Sequence, residues 1–227
     1  MVVEFQDDHK YQKQVRKDDF IKGNFKNPYD RSVYGVGYFG VGKYRSKENG
    51  RHTKAYKRWH DMMMRVYSKN TDKEPYYKTC VVCDEWHNFQ NFAKWFDKNY
   101  YEIPGCVMHL DKDICKKRNN IYCPQYCSFV PQDINEIFTK CNKARGVYVI
   151  GVCFHKGRQK FVAQCQTKIN NKQKLNHLGY YDTETEAFNV YKQFKENYIK
   201  KIALQYKEYL PQKTFKALME YEVLIDD

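Results

Sequence analysis

The chain has 227 residues, 42% of them hydrophobic and 17% aromatic, which supplies one large core or two small ones and excludes a disordered, purely electrostatic tail. Forty Lys and Arg stand against 27 Asp and Glu, a net charge of +13 that favours polyanionic partners and fits a lysine-rich solvated surface equally well. The first twenty residues carry charges where a secretion signal needs an apolar run, and no stretch is apolar enough to span a membrane. An intracellular, reducing setting is therefore expected, in which nine cysteines, an odd number, read as free thiols or metal ligands rather than disulfides.

Residues 1–55 form a polar segment punctuated by glycine, with Tyr34 to Lys43 (YGVGYFGVGK) at its centre. A phosphate-cradling loop would need an apolar strand before it and a helix directly after it, so these glycines predict turns. From Tyr56 the pattern is helical, with Trp59, Met62, Met63, Val66 and Tyr67 at spacings of three and four. A second stripe, Trp86, Phe89, Phe92, Ala93 and Phe96, follows a strand-like run at Cys80 to Cys83. Both stripes predict core. Next come Met108 to Asp113, a polar turn at Asn119 and Asn120, the apolar stretch Tyr122 to Val130, and a helix after Pro131. From Arg145 the sequence predicts strands over 146–154, 160–167 and 174–180, with turns at Gly157 and at Asn170 and Asn171. Asp182 and Thr183 supply cap chemistry for a long helix with Ala187, Tyr191, Phe194, Tyr198 and Ile202 on one stripe, and a short helix is expected over 211–221. The fold class expected is α+β.

In the second of the three strands Phe161, Ala163 and Cys165 share one face, and Lys160, Val162, Gln164 and Gln166 share the other. The apolar face is expected to pack on the helix, leaving amides and cations for a partner. Residues 143–203 hold twelve Lys or Arg against four Asp or Glu, a local +8. Gly151-Val152, Phe161-Val162-Ala163, Leu178 to Thr183 (LGYYDT), Glu186-Ala187 and Tyr191 resemble the APETALA/ethylene-response-factor DNA-binding domain over about sixty residues. That resemblance implies a three-stranded antiparallel sheet in the major groove of double-stranded DNA, backed by one helix. It implies base readout by Cys153, His155, Arg158, Gln164, Gln166 and His177; Lys168 and Lys174 are expected as phosphate contacts that hold all sequences alike. Plant members carry mostly Arg and Trp at the readout positions, which leaves the base preference open. The plainer alternative is a sheet-plus-helix domain that contacts protein.

The run from Tyr56 to Phe138 resembles the HNH nucleases of phage genomes through Trp59, Met63, Arg65, Tyr67, Cys83, Glu85-Trp86, Phe89, Phe92, Trp95, Leu110 to Asp113 (LDKD), Tyr122-Cys123-Pro124 and Cys127. The resemblance implies a ββα-metal module holding one divalent ion, Mg2+ or Mn2+, with Asp111 as first ligand and Asn135 as second. Lys112 stands where that family has its general-base histidine, and Tyr126 where it has a bracing asparagine. His109, two residues before Asp111 on the same strand face, is the substitute base to consider, although a lone strand histidine is more often structural. Cys80 and Cys83, with Cys123 and Cys127 or with Cys106 and Cys115, read alternatively as a structural Zn2+ site. The expected organisation is a segment 1–55, a nuclease-like module 56–142, a DNA-binding domain 143–203 and a helical extension 204–227. Two functions follow as expectations, a homing-type endonuclease and a catalytically inactive DNA-binding descendant. A phage protein that binds a host protein is the third.

Overall fold

Strands and helices are mixed along the whole chain, in a computed structural model that describes residues 1–68, 75–138, 147–169 and 172–227. The chain opens with β1 (Val2–Glu4) and β2 (Gln12–Gln14), an antiparallel pair, and α1 (Lys17–Ile21). A short ribbon follows, β3 (Lys47–Glu48) with β4 (Arg51–His52), then α2 (Lys54–Tyr67), a 3-10 turn at Pro75–Thr79, β5 (Val81–Val82), α3 (Asp84–His87) and α4 (Phe89–Asn99). Next are β6 (Met108–Asp111), β7 (Ile121–Tyr122), β8 (Ser128–Pro131) and α5 (Gln132–Ile137). The last part holds β9 (Val152–His155), β10 (Lys160–Ile169), β11 (Lys172–Tyr181), α6 (Glu184–Gln205) and α7 (Gln212–Met219).

These elements form two compact units, residues 1–100 with 118–127, and residues 101–117 with 128–227. The division cuts through the nuclease-like module expected at 56–142, and its causes are local. β5 and β7 pair in parallel, Val81 opposite Ile121 and Val82 opposite Tyr122, which draws 118–127 into the first unit. In the second unit Ile114, Val130 and Ile134 join one core with Ile199, Ile202, Ala203, Leu210 and Leu218. The β6, β8 and α5 finger therefore shares its core with α6 and α7, to which Leu210 and Leu218 of the 204–227 stretch contribute. The start of the third region at Arg145 and the turn at Asn170 and Asn171 lie outside the described residues.

In the first unit the two helical stripes are buried as expected. Thr53 caps α2 by accepting the Tyr56 amide at 3.2 Å, and Trp59, Met62 and Met63 point inward from it. Trp59 donates its indole N–H to the Trp86 carbonyl at 2.7 Å, so a large apolar ring is buried with its one polar atom satisfied. Trp86, Phe89 and Phe92 of the facing helices are fully buried too, each phenylalanine contributing roughly 1.5–3 kcal/mol. The glycine stretch lies against this layer. A Cβ on Gly37 would stand 2.9 Å from both Met63 and Trp59, so the glycine there serves close packing. Gln90, buried, receives the Tyr44 amide and donates to the Phe39 and Tyr44 carbonyls, tying the stretch to α4.

In the second unit β9, β10 and β11 form a three-stranded antiparallel sheet in the order β11-β10-β9. α6 crosses one face, where Ala163 and Cys165 meet Ala187, Phe188 and Tyr191. The Thr183 cap is a full capping box, since its side chain receives the Glu186 amide while the Glu186 carboxylate receives the Thr183 amide. The first strand is shorter than the pattern 146–154 predicts. Gly151 turns the chain at φ +76°, and pairing begins only at Val152.

Candidate nucleic-acid interface

Opposed residues in an antiparallel sheet point to the same side, so the strand register defines the face that α6 does not cover. His155 lies opposite Lys160; Cys153 and Tyr180 flank Val162; His177 lies opposite Gln164, Leu175 opposite Gln166 and Gln173 opposite Lys168. Of the expected readers, Cys153, His155, Gln164, Gln166 and His177 are therefore on one face, with Arg158 on the turn that joins β9 to β10. That turn is set by the Arg158 amide, which donates to the His155 carbonyl at 3.1 Å, and by Gln159 at φ +50°.

Tyr180 organises this face, and the sequence pattern does not reveal it. The Arg158 guanidinium lies over the Tyr180 ring, 4.4 Å from its centroid. The His177 ring is 4.7 Å away and the His155 ring 5.6 Å. Stacking on a ring holds a guanidinium flat while its N–H groups stay in the plane, available to an acceptor. His177 and Tyr180 are three residues apart, which strict alternation would place on opposite faces. The register shifts between Ala163 and Gln164, so that β11 spends one extra residue there and both rings emerge on the same side. Gln166 and Gln173 are joined side chain to side chain at 2.7 Å, which orients both amides.

The two lysines expected to contact phosphate are placed differently. Lys174 lies opposite Thr167, a buried residue on the face toward α6, so it is not on the open face. Lys168 is held by Glu136 at 2.8 Å and Asp133 at 2.9 Å, and these two carboxylates raise its pKa to about 12. Its charge is already balanced, and a phosphate would have to compete with both acids. Lys160 is paired with Asp182 in the same way.

The second candidate site is the finger. β6 and β8 pair antiparallel, Asp111 opposite Ser128, and α5 follows β8 directly and packs on both strands. His109 and Asp111 share a face of β6, and Asn135 is on α5. Asp111 Oδ1 accepts the Asp113 amide at 2.9 Å and the Ile114 amide at 2.7 Å, closing a turn at the strand end. Lys112, 2% exposed, donates its ammonium to both Asp113 oxygens at 2.9 Å. An ammonium held by a carboxylate has no lone pair for a proton, so Lys112 does not fit the general base. Tyr126 belongs to the first unit rather than to the finger's. A hard cation would find one Asp111 oxygen already bridging two amides, with a lysine ammonium on the next residue, and the donor set does not fit it. Among the described residues no three His, Cys, Asp or Glu side chains lie where they could hold a metal ion.

Burial raises the Asp111 carboxyl from its ordinary 3.8 to about 6. The folded state then holds a proton that the unfolded chain releases, so Asp111 erodes stability as pH rises from about 4 to about 6, with no further change above. Asp111→Asn keeps an acceptor for the two amides and removes the charge. We expect the variant to be more stable than the wild type by on the order of 2–3 kcal/mol at pH 7.5 and nearly equal to it at pH 4. Urea unfolding at the two pH values checks this, and the same difference at both would remove the argument.

No protein-family model, curated protein or solved structure matches the chain.

Proposed function

We propose that this protein binds double-stranded DNA, with the open face of the β9-β10-β11 sheet laid in the major groove. The observation that carries the reading is the cluster of Arg158, His155 and His177 around Tyr180 on the face opposite α6. The B-form major groove admits a β-ribbon, and each base edge there offers a distinct hydrogen-bond pattern. Arg158 supplies the planar donor fork suited to guanine; Gln164 and Gln166 supply the donor and acceptor pair suited to adenine. Electrostatic attraction supplies affinity without selecting a sequence, and the stretch that holds the sheet and α6 carries +8. Binding of a 30-base-pair duplex should weaken steeply with salt, each neutralised phosphate contributing about 0.9 to the log-log slope. A flat salt response would overturn the reading, and failure to bind at low salt would favour a protein partner such as a host factor.

One observation favours a second reading, in which the same chain cleaves DNA with Mg2+ or Mn2+: the β6, β8 and α5 order keeps Asp111 at a strand end and Asn135 on the helix that follows. We take the finger instead as structural, because Asp111 closes its own turn and Lys112 is paired with Asp113. Incubating supercoiled plasmid with either metal decides between the two. Unchanged plasmid supports the binding protein; nicking that Asp111→Ala abolishes would establish the nuclease, and His109→Ala would then show whether that histidine is its base.

A further inference from the structure

The first unit carries a second concentration of charge that the sheet does not account for. Residues 41–58 hold seven Lys or Arg against the single Glu48, a net +6. With +6 here and +8 in residues 143–203, the remainder of the chain comes to −1, so these two stretches account for the whole excess of +13. The charge sits on the β3-β4 ribbon and the first turns of α2. All four ribbon residues are exposed, and Asn49 at φ +49° and Gly50 at φ +75° make the left-handed two-residue turn that twists such ribbons tightly. The ribbon is anchored at its base: the Thr53 amide donates to the Ser46 carbonyl at 3.0 Å, and the Thr53 hydroxyl to the Arg45 carbonyl at 3.1 Å. Its tip projects cations from a fixed base.

Two features of this ribbon run against local stability. An isolated two-stranded hairpin is marginal in water, and this one buries none of its strand residues. The first turn of α2 has no acidic residue and carries Lys54, Lys57 and Arg58 nearby, at the positive pole of the helix, where cations are unfavourable. Arg45, Lys47, Arg51 and Lys57 pair with no acid among the described residues, and Arg58 reaches Asp61 only at 4.0 Å. Five lysines of the second unit, Lys112, Lys117, Lys160, Lys168 and Lys192, do each meet a carboxylate. A polyanion would relieve the mutual repulsion along the ribbon and the unfavourable helix end together.

We infer that the β3-β4 ribbon and the start of α2 form a second nucleic-acid contact, with Arg45, Lys47, Arg51 and Lys57 on the phosphate backbone of duplex DNA. The inference rests on the DNA-binding reading above. DNA is chosen over duplex RNA because the sheet of that reading fits the wide B-form major groove and not the deep, narrow A-form groove.

The test uses the full chain and a 30-base-pair DNA duplex, with the salt dependence of binding measured for four proteins. The ribbon variant is R45Q/K47Q/R51Q/K57Q. A control, R16Q/K17Q/K22Q/K26Q, removes the same charge from exposed positions elsewhere in the first unit. The third variant changes the sheet, Arg158→Ala with Tyr180→Ala, and the fourth protein is the wild type. All of the ribbon substitutions are at exposed side chains, so unchanged thermal unfolding serves as the folding check. The expected result is a salt slope lowered by about 2 to 4 in the ribbon variant, at about 0.9 per phosphate, and by less than about 1 in the control. A photocrosslinker at Asn49 should then label DNA. Equal slopes in the ribbon and control variants would overturn the inference while leaving the sheet as reader. Loss of binding in the ribbon variant with full binding in the sheet variant would instead overturn the sheet and keep the ribbon. A wild type that does not bind at 50 mM salt would overturn both, and equal competition by duplex RNA would overturn the choice of DNA.

Discussion

Gly151→Val should strongly destabilise the second unit's sheet and with it weaken DNA binding. The residue is at φ +76°, a conformation that costs a β-branched side chain about 1–3 kcal/mol. The second cost is steric, because a Cβ built on Gly151 would stand 2.1 Å from the Tyr191 ring. Tyr191 is 5% exposed and packs with Ala163 and Ala187 where α6 meets β10, so it has nowhere to retreat without opening that core. Overpacking of this kind adds about 1–3 kcal/mol. The Gly151 carbonyl also receives the Gln164 amide at 2.8 Å, which any backbone shift would weaken. A total of roughly 2–6 kcal/mol is a large part of the 5–15 kcal/mol typical of a domain. Gly151→Ala should fall between variant and wild type, and adding Tyr191→Ala to it should recover part of the steric cost without recovering the backbone cost. Urea unfolding measures all three, and a Gly151→Val protein within about 0.5 kcal/mol of the wild type would contradict the account.

The next largest effect is expected on binding, from the pair Arg158 and Tyr180. Tyr180→Ala and Arg158→Ala should each weaken duplex affinity by about 1–3 kcal/mol, or roughly five- to 150-fold. The two losses should not add. Arg158 takes its orientation from the Tyr180 ring, so the double variant should fall short of the sum by about 0.5–1 kcal/mol. Tyr180→Phe keeps the ring and should bind within about threefold of the wild type, which separates the stacking role from any role of the hydroxyl. Tyr180 is 37% exposed, so its truncation should change unfolding little. If Tyr180→Ala bound DNA with unchanged affinity, the open face of the sheet would not be the contact surface.

What could be read from the sequence was whatever depends on neighbours a few residues away. The helical stripes through Trp59, Met62, Met63 and Val66, and through Trp86, Phe89, Phe92, Ala93 and Phe96, proved to be core because a 3.6-residue period needs no partner to be seen. Alternation likewise placed Phe161, Ala163 and Cys165 on the α6 side of β10, and the Thr183 cap followed from its own four residues. The α+β class and the three-stranded sheet followed from these. Tertiary structure decided the rest. The extra residue in β11 brought His177 and Tyr180 to one face, which no alternation rule could foresee because a bulge resets the period at a point that the partner strand chooses. Lys168 looked like a phosphate contact until α5 delivered Glu136 and Asp133 from more than thirty residues away. The core of the second unit is of the same kind, since Ile114, Val130 and Ile134 find their apolar partners on α6 and the α7 region, and burial recognises proximity in space rather than in sequence.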